Sequence, residues 1–325
     1  MQFNWPDGFE RIPNEAWTTS PIDALAKGYD AVKTHGWYQN LEPAVRSIGD
    51  HLKDGDLLLD YSGGTGIFAE RLLESVPDRQ FGIVIVDASP KFLRVALEKF
   101  HANPHVALRL IQYLKDKKRL QFVDEVLDCK FDFLVSTNAI HLYYDLEDTL
   151  LSWTRVLRPG SEVLIQSGSI RNPAAKPGEW IIDETVHAIY EAAVRIVEKD
   201  DRYAKYREVL KTPEKMAAYS ELRNKFFLPA RSLSHYTSQL EAAGFRHLTV
   251  SSQTIEARVD EWTKFLEVYL DGILGWIGGV PKIEGKPPAA EALRDRLRLF
   301  HEAAHVAFAG KPTFLCCWTY ITAKL

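Results

Sequence analysis

Leu57-Leu58-Leu59-Asp60-Tyr61-Ser62-Gly63-Gly64-Thr65-Gly66-Ile67-Phe68-Ala69 decides how the rest of the chain is read. Three leucines end on a carboxylate, a glycine-rich turn follows, and Phe68-Ala69-Glu70-Arg71-Leu72-Leu73 has helical spacing. The pattern predicts a buried strand, a tight loop and a helix. Glycines remove the Cβ atoms that would hold a ligand away from the backbone. The start of a helix then offers that ligand unpaired N–H groups. Asp60 falls at the strand end, where side chains of an open α/β sheet project into the crevice. A second strand, Phe81-Gly82-Ile83-Val84-Ile85-Val86, ends on Asp87. Two strand-end carboxylates flanking a glycine loop suit a ligand with ribose hydroxyls and a cationic or amino end.

Two cofactors fit this stretch. Gly64-x-Gly66-x-x-Ala69, with Asp87 placed 21 residues beyond Gly66, matches the dinucleotide fingerprint and would make the protein an NAD(P)-dependent oxidoreductase. The same residues, Asp60-Tyr61-Ser62-Gly63-Gly64-Thr65-Gly66, resemble motif I of the class I S-adenosylmethionine-dependent methyltransferases, an acidic residue followed by x-G-x-G-x-G. Asp60 favours the second reading, because a carboxylate before the loop repels a pyrophosphate and attracts an ammonium and a sulfonium. Phe131-Asp132-Phe133-Leu134-Val135-Ser136-Thr137-Asn138-Ala139-Ile140-His141-Leu142 resembles the fourth-strand motif of that family. Arg158-Pro159-Gly160-Ser161-Glu162-Val163-Leu164-Ile165 resembles its turn and fifth strand, and Leu240-Glu241-Ala242-Ala243-Gly244-Phe245 the helix end before strand six, with Gly244 as the C′ glycine. Their order and spacing cover most of residues 55–170 and 232–255, and a nicotinamide enzyme has no reason to repeat them.

The resemblance implies a Rossmann-like α/β fold: a mostly parallel seven-stranded sheet with helices on both faces, plus helical insertions forming a cap. Strand and helix do alternate from residue 57 to 168, as a parallel sheet with right-handed crossovers requires. Strands are expected near 57–61, 81–87, 106–112, 131–137 and 161–168, and helices near 66–76, 89–102, 117–127 and 145–156. Ser89 and Pro90 form an N-cap and N1 pair. The implied organisation is an N-terminal helical cap (1–54), a cofactor-binding core (55–170), a helical insertion lying over the acceptor (171–231), and completion of the sheet (232–325) with a second insertion at 260–310. Asp260 is expected to cap the helix that opens this second insertion.

The implied function is transfer of a methyl group from S-adenosyl-L-methionine to a small-molecule acceptor, leaving S-adenosyl-L-homocysteine. The cofactor set that the resemblance implies is Asp60, Ser62, Gly63, Gly64, Gly66, Asp87, Ala88, Thr137 and Asn138. Asp87 would hold the ribose hydroxyls, and Asp60 with the backbone of 62–66 the amino-acid portion. An O or N acceptor gains from a general base. His141, just past the fourth strand, is the catalytic candidate, ahead of His187 and His235. Tyr29, Trp37 and Tyr38 are candidate lid residues, while Trp180, Tyr190, Tyr203, Tyr206 and Tyr219 suit a flat or apolar acceptor. Core packing is the alternative for each. The chain departs from the family at Ser62, which stands where a first glycine is usual, with Gly63 expected to supply the missing freedom. It also departs at Ile111-Gln112-Tyr113-Leu114, which lacks the acidic residue often found near the adenine. A non-catalytic relative that keeps the fold as a binding module is the third reading.

Composition narrows the partners. Lys and Arg total 40 against 44 Asp and Glu, a net charge of −4, which gives no electrostatic case for nucleic acid. Cys129, Cys316 and Cys317 lack ligand spacing, so reduced thiols and no metal are expected. The start of the sequence has no basic, apolar leader, and no stretch reaches membrane-spanning length. The expectations are therefore a cytoplasmic protein without membrane contact, with the helical insertions offering a surface for a homodimer.

Overall fold

In a computed structural model of the chain, residues 3–325 are described. Seven strands form the central sheet: β1 (Leu57–Tyr61), β2 (Gly82–Asp87), β3 (Val106–Leu110), β4 (Phe131–Thr137), β5 (Leu157–Ser167), β6 (Arg246–Arg258) and β7 (Thr313–Lys324). Their order is β6-β7-β5-β4-β1-β2-β3, and the two-residue strand Glu179–Trp180 pairs with β7 as well. β1 pairs in parallel with both β2 and β4, β2 with β3 and β4 with β5, while β7 runs antiparallel to β5. The strand order reverses between β1 and β4, which is where a doubly wound sheet opens its ligand crevice. All of β1 and β2 are buried, so the apolar runs that mark them in the sequence report a sheet covered on both faces.

The crossover helices are α3 (Ile67–Ser75), α4 (Pro90–Phe100) and α5 (Leu146–Val156), preceded by α1 (Ala24–Asp30) and α2 (Glu42–His51). Ser89 caps α4 by accepting the Phe92 N–H at 3.3 Å, and Pro90 takes the first helical position, where it forfeits no hydrogen bond. Trp153 of α5 is fully buried beside Tyr61 in the core formed by β1, β4, β5 and the helix Leu233–Ala242. Gly244 follows that helix at φ 108, as its C′ role requires.

Two expected elements differ. Residues 117–127 form a hairpin, Tyr113–Leu114 against Arg119–Leu120, and then a single 3-10 turn at Val123–Glu125. Lys118 takes a left-handed conformation (φ 54) and closes the hairpin. Glu125 accepts from the Arg119 guanidinium and the Phe122 N–H, binding the basic run back onto the turn instead of along a helix. Asp260 is not a cap: the helix is Val259–Leu266 with Arg258 before it, and Asp260 in its first turn pairs with that arginine.

Residues up to Pro173, 232–253 and 318–325 form one compact unit, and 174–231 with 254–317 a second. The second is helical. Within it α6 (Ile182–Lys199) packs on the helix Ala290–Ala307. Buried Arg296 donates to the carbonyls of Gly275, Ile277 and Gly279, tying down that turn. Tyr203, Tyr206 and Tyr219 are buried with hydroxyls on Glu302, Asp295 and Glu284, Trp180 packs edge-on against Phe308, and Tyr190 against Trp276. These aromatics therefore pack within the unit. No helix among the described residues is long and apolar enough to cross a membrane.

Candidate active site

The register of β1 on β2 pairs Asp60 with Ile85 and Tyr61 with Val86, so Asp60 and Asp87 stand at the carboxyl ends of neighbouring parallel strands. The loop between β1 and α3 turns tightly: the Gly63 N–H donates to Val86 O at 3.1 Å and the Gly66 N–H to Gly63 O at 2.8 Å. Ser62 itself takes the left-handed conformation (φ 61), which corrects the expectation that Gly63 supplies the missing freedom. Position 63 needs a glycine for a different reason: a Cβ there would stand 2.5 Å from Oδ2 of Asp60. Gly66 precedes α3 at φ 77, and a Cβ would meet the Phe100 ring at 2.6 Å. Gly66→Ala is expected to cost about 2–3 kcal/mol from backbone crowding and overpacking together. Chemical denaturation that returned wild-type stability would contradict this.

Asp60 is fully buried, and neither carboxyl oxygen has a hydrogen-bond partner. Burial, with Asp87 adding repulsion, pushes its pKa up to about 8. Asp87 is oriented: Oδ2 accepts from the Gly64 N–H at 2.9 Å and Oδ1 from the Ser89 N–H at 2.7 Å. Burial raises its pKa to about 6 against the pull of those amides. Two desolvated carboxyls at the foot of a glycine loop call for cationic and hydroxylic ligand groups.

Ala88 is exposed beside Asp87, and Thr137 ends β4. Asn138 is left-handed (φ 56); its N–H donates to Gln166 Oε1 at 3.0 Å, and Asn40 Nδ2 lies 3.4 Å from its Oδ1. His141 bonds through Nδ1 to Ser167 Oγ at 2.9 Å, and Ser167 Oγ also accepts the Ser169 N–H at 3.0 Å. Desolvation lowers the imidazole pKa to about 4 although one edge still reaches solvent, so the ring is neutral at pH 7. His235 is exposed on its helix, and His187 is exposed in the second unit, paired with Glu191 at 3.1 Å. Tyr29 stacks on Phe92 at 4.8 Å, next to Gly64 and with the Asp87 charge acting on its hydroxyl. Trp37 stacks on Trp318 and packs against Tyr38, over whose ring the Arg71 guanidinium lies. The chain around Tyr29 is tied to α3 and α4 through Lys99, which bonds Asp30 at 2.9 Å and Glu70 at 3.2 Å, and through Lys33 on Glu70.

The sequence family described as methyltransferase domain matches residues 59–165, from the end of β1 through most of β5. Those residues form a methyltransferase domain. The chain is similar to the Coxiella burnetii ubiquinone/menaquinone biosynthesis C-methyltransferase UbiE, 24% identical over 232 residues, which cover 68% of this chain and 88% of that protein. It is also similar to the highly reducing polyketide synthase verA of Penicillium polonicum, 24% identical over 130 residues, which are 37% of this chain and 5% of that much longer protein. Among solved structures it is similar to the YcgJ protein of Bacillus subtilis, with a TM-score of 0.49 and 14% identity over 88% of this chain and 98% of the other.

The methyltransferase cofactor fits the residues present. An unpartnered buried carboxyl suits an ammonium, and a second carboxyl held by two backbone amides keeps lone pairs for a diol. Sequence reasoning missed Asn40, Tyr143, Gln166 and Tyr320. The Tyr320 hydroxyl donates to Asn40 O at 2.8 Å, and Gln166 Nε2 lies 3.4 Å from the same carbonyl, so three segments distant in sequence meet where β5 ends beside β7. Gln166 carries the one legible signal, a polar residue closing the apolar run Val163-Leu164-Ile165.

Proposed function

We propose that this methyltransferase methylates a small-molecule acceptor, with the residues around the β1–α3 loop holding the cofactor. The buried, unpartnered Asp60 carries the reading. Bound S-adenosylmethionine supplies a methyl group on a sulfonium leaving group. Asp60 would take the ammonium of the amino-acid end, and Asp87 the ribose hydroxyls beside Ala88. The backbone of Ser62, Gly63, Gly64 and Gly66 would line the path between them, with Thr137 and Asn138 reaching the methionine end from β4. The names of the quinone-biosynthesis C-methyltransferases among the relatives support a small acceptor and methylation at carbon.

His141 would face the acceptor. Ser167 Oγ already accepts the Ser169 N–H, so its own proton is best placed on His141 Nδ1. That tautomer leaves Nε2–H to donate to an acceptor oxygen. The other tautomer would present Nε2 as a base, and its pKa of about 4 suits only an acceptor that is already acidic.

The test is thermal unfolding with S-adenosylhomocysteine, with NADH and with neither. A ligand present at a hundred times its dissociation constant stabilises the native state by about 2.7 kcal/mol. A shift with the homocysteine compound alone is expected. A shift with NADH alone would overturn the reading. Phenols and quinols incubated with the methyl donor and analysed by mass spectrometry should then gain one methyl group in the presence of the enzyme, and protein or nucleic acid as sole acceptor would refute the small-molecule assignment.

A further inference from the structure

We propose that Tyr143 is a positioning residue of the cofactor loop, its hydroxyl holding Ser62 in the left-handed conformation that the family usually obtains with a glycine. The inference rests on the reading of the β1–α3 loop as the cofactor site. Ser62 is at φ 61, a conformation that crowds the Cβ of any residue but glycine. Its Oγ accepts from the Tyr143 hydroxyl at 3.0 Å, and the same hydroxyl lies 2.9 Å from Ser136 Oγ. Since Tyr143 gives its one proton to Ser62, Ser136 donates to Tyr143, and the three hydroxyls form a directed chain from fully buried Ser136 on β4 to the loop. Burial raises the Tyr143 pKa well above its ordinary value, so the donor proton stays in place.

The ring has little room to turn away. It meets Tyr61 edge-on at 5.5 Å and Trp153 at 6.1 Å, and Trp153 is fully buried. Tyr61 and Ser62 are consecutive, so one side chain holds both the end of β1 and the first residue of the loop. Gly63 follows at once, with its N–H on Val86 O and its Cα against Asp60, and Gly64 donates to Asp87. A slip at Ser62 therefore displaces Gly63, whose Cα abuts Asp60, and the Gly64 amide that orients Asp87.

The experiment compares wild type, Tyr143→Phe, Ser62→Ala, Ser62→Gly and the double variant Tyr143→Phe/Ser62→Gly. Calorimetry with S-adenosylhomocysteine is paired with amide hydrogen exchange at residues 63–64 in the ligand-free proteins. Loss of the hydrogen bond should weaken binding by about tenfold in Tyr143→Phe and in Ser62→Ala, because both keep a Cβ in the left-handed position. Ser62→Gly should stay within about twofold of wild type, and the double variant should match Ser62→Gly, since glycine needs no hydroxyl to hold it there. Exchange at residues 63–64 should quicken in Tyr143→Phe and return in the double variant. Wild-type affinity and exchange in Tyr143→Phe, or a double variant as weak as Tyr143→Phe, overturns the proposal. If Tyr143→Phe does not fold, a weak Ser62→Ala beside an intact Ser62→Gly upholds it, and any equality between those two overturns it. Wild type that fails to bind S-adenosylhomocysteine refutes the cofactor site itself, while the exchange data still decide what Tyr143 does to the loop.

Discussion

Asp60→Asn is expected to make the ligand-free protein more stable at pH 7 while removing its affinity for S-adenosylhomocysteine. The carboxyl is fully buried without a hydrogen bond, and burial lifts its pKa from 3.8 to about 8. A raised carboxyl pKa means the folded state keeps a proton that the unfolded state releases. Between about pH 4 and pH 8, stability therefore falls as pH rises. At pH 7 this amounts to roughly 4 kcal/mol, at about 1.4 kcal/mol per pH unit. An amide in the same place avoids the titration but leaves its own polar atoms unpartnered, which costs about 1–3 kcal/mol. The net gain is about 1–3 kcal/mol, read as a rise of several degrees in Tm at pH 7 and a flatter Tm-against-pH curve from pH 5 to 8.5. Binding should vanish, because the amide offers the ammonium no charge. In wild type the arriving ammonium would hold Asp60 ionised, so calorimetry at pH 7 in buffers of different ionisation enthalpy should show proton release on binding. A variant that keeps the wild-type pH slope, or that still binds, would refute the assignment of Asp60.

Asp87→Ala should lower affinity for S-adenosylhomocysteine by at least about a hundredfold with little change in fold. The carboxylate accepts the Gly64 and Ser89 amides and has lone pairs left for two ribose hydroxyls. Hydrogen bonds to a charged acceptor contribute about 1.5–3 kcal/mol each, so losing two to the ligand accounts for that factor. Stability changes little because two terms oppose each other: the loop amides lose an acceptor, and a desolvated charge is removed. The pKa is raised to about 6, so wild-type affinity should also fall as pH drops through 6 and Asp87 takes up a proton. Circular dichroism and calorimetry on the same preparation separate fold from binding. Affinity within about tenfold of wild type would leave too little for two charge-assisted hydrogen bonds and would place the ribose elsewhere.

Much of the fold was legible in the sequence because it is written in short range. Leu57–Leu59 ending on Asp60, and Ile83–Val86 ending on Asp87, identify two strands and their carboxyl ends without knowledge of their neighbours. Ser89-Pro90 and Gly244 mark helix ends by local chemistry that the structure repeats. The stretch at 117–127 shows the limit: a helix is expected there, whereas Glu125 gathers Arg119 and the Phe122 N–H into a hairpin and turn. Helical spacing is one local signal among several, and a charged side chain that satisfies backbone donors outweighs it.

The α/β class, the glycine loop, the two carboxyls beside it and the resemblance to methyltransferases are legible without the fold, since all of these depend on residues a few positions apart. The protonation of those carboxyls follows from the fold, because a raised pKa requires distant parts of the chain to exclude water from Asp60 and Asp87. The fold likewise decided which atoms hold the loop and the strand ends. Ser62 meets Tyr143 across 81 positions and Asn40 meets Tyr320 across 280. No periodicity or motif records such pairings; they exist only once the order β7-β5-β4-β1 has brought the strand ends together.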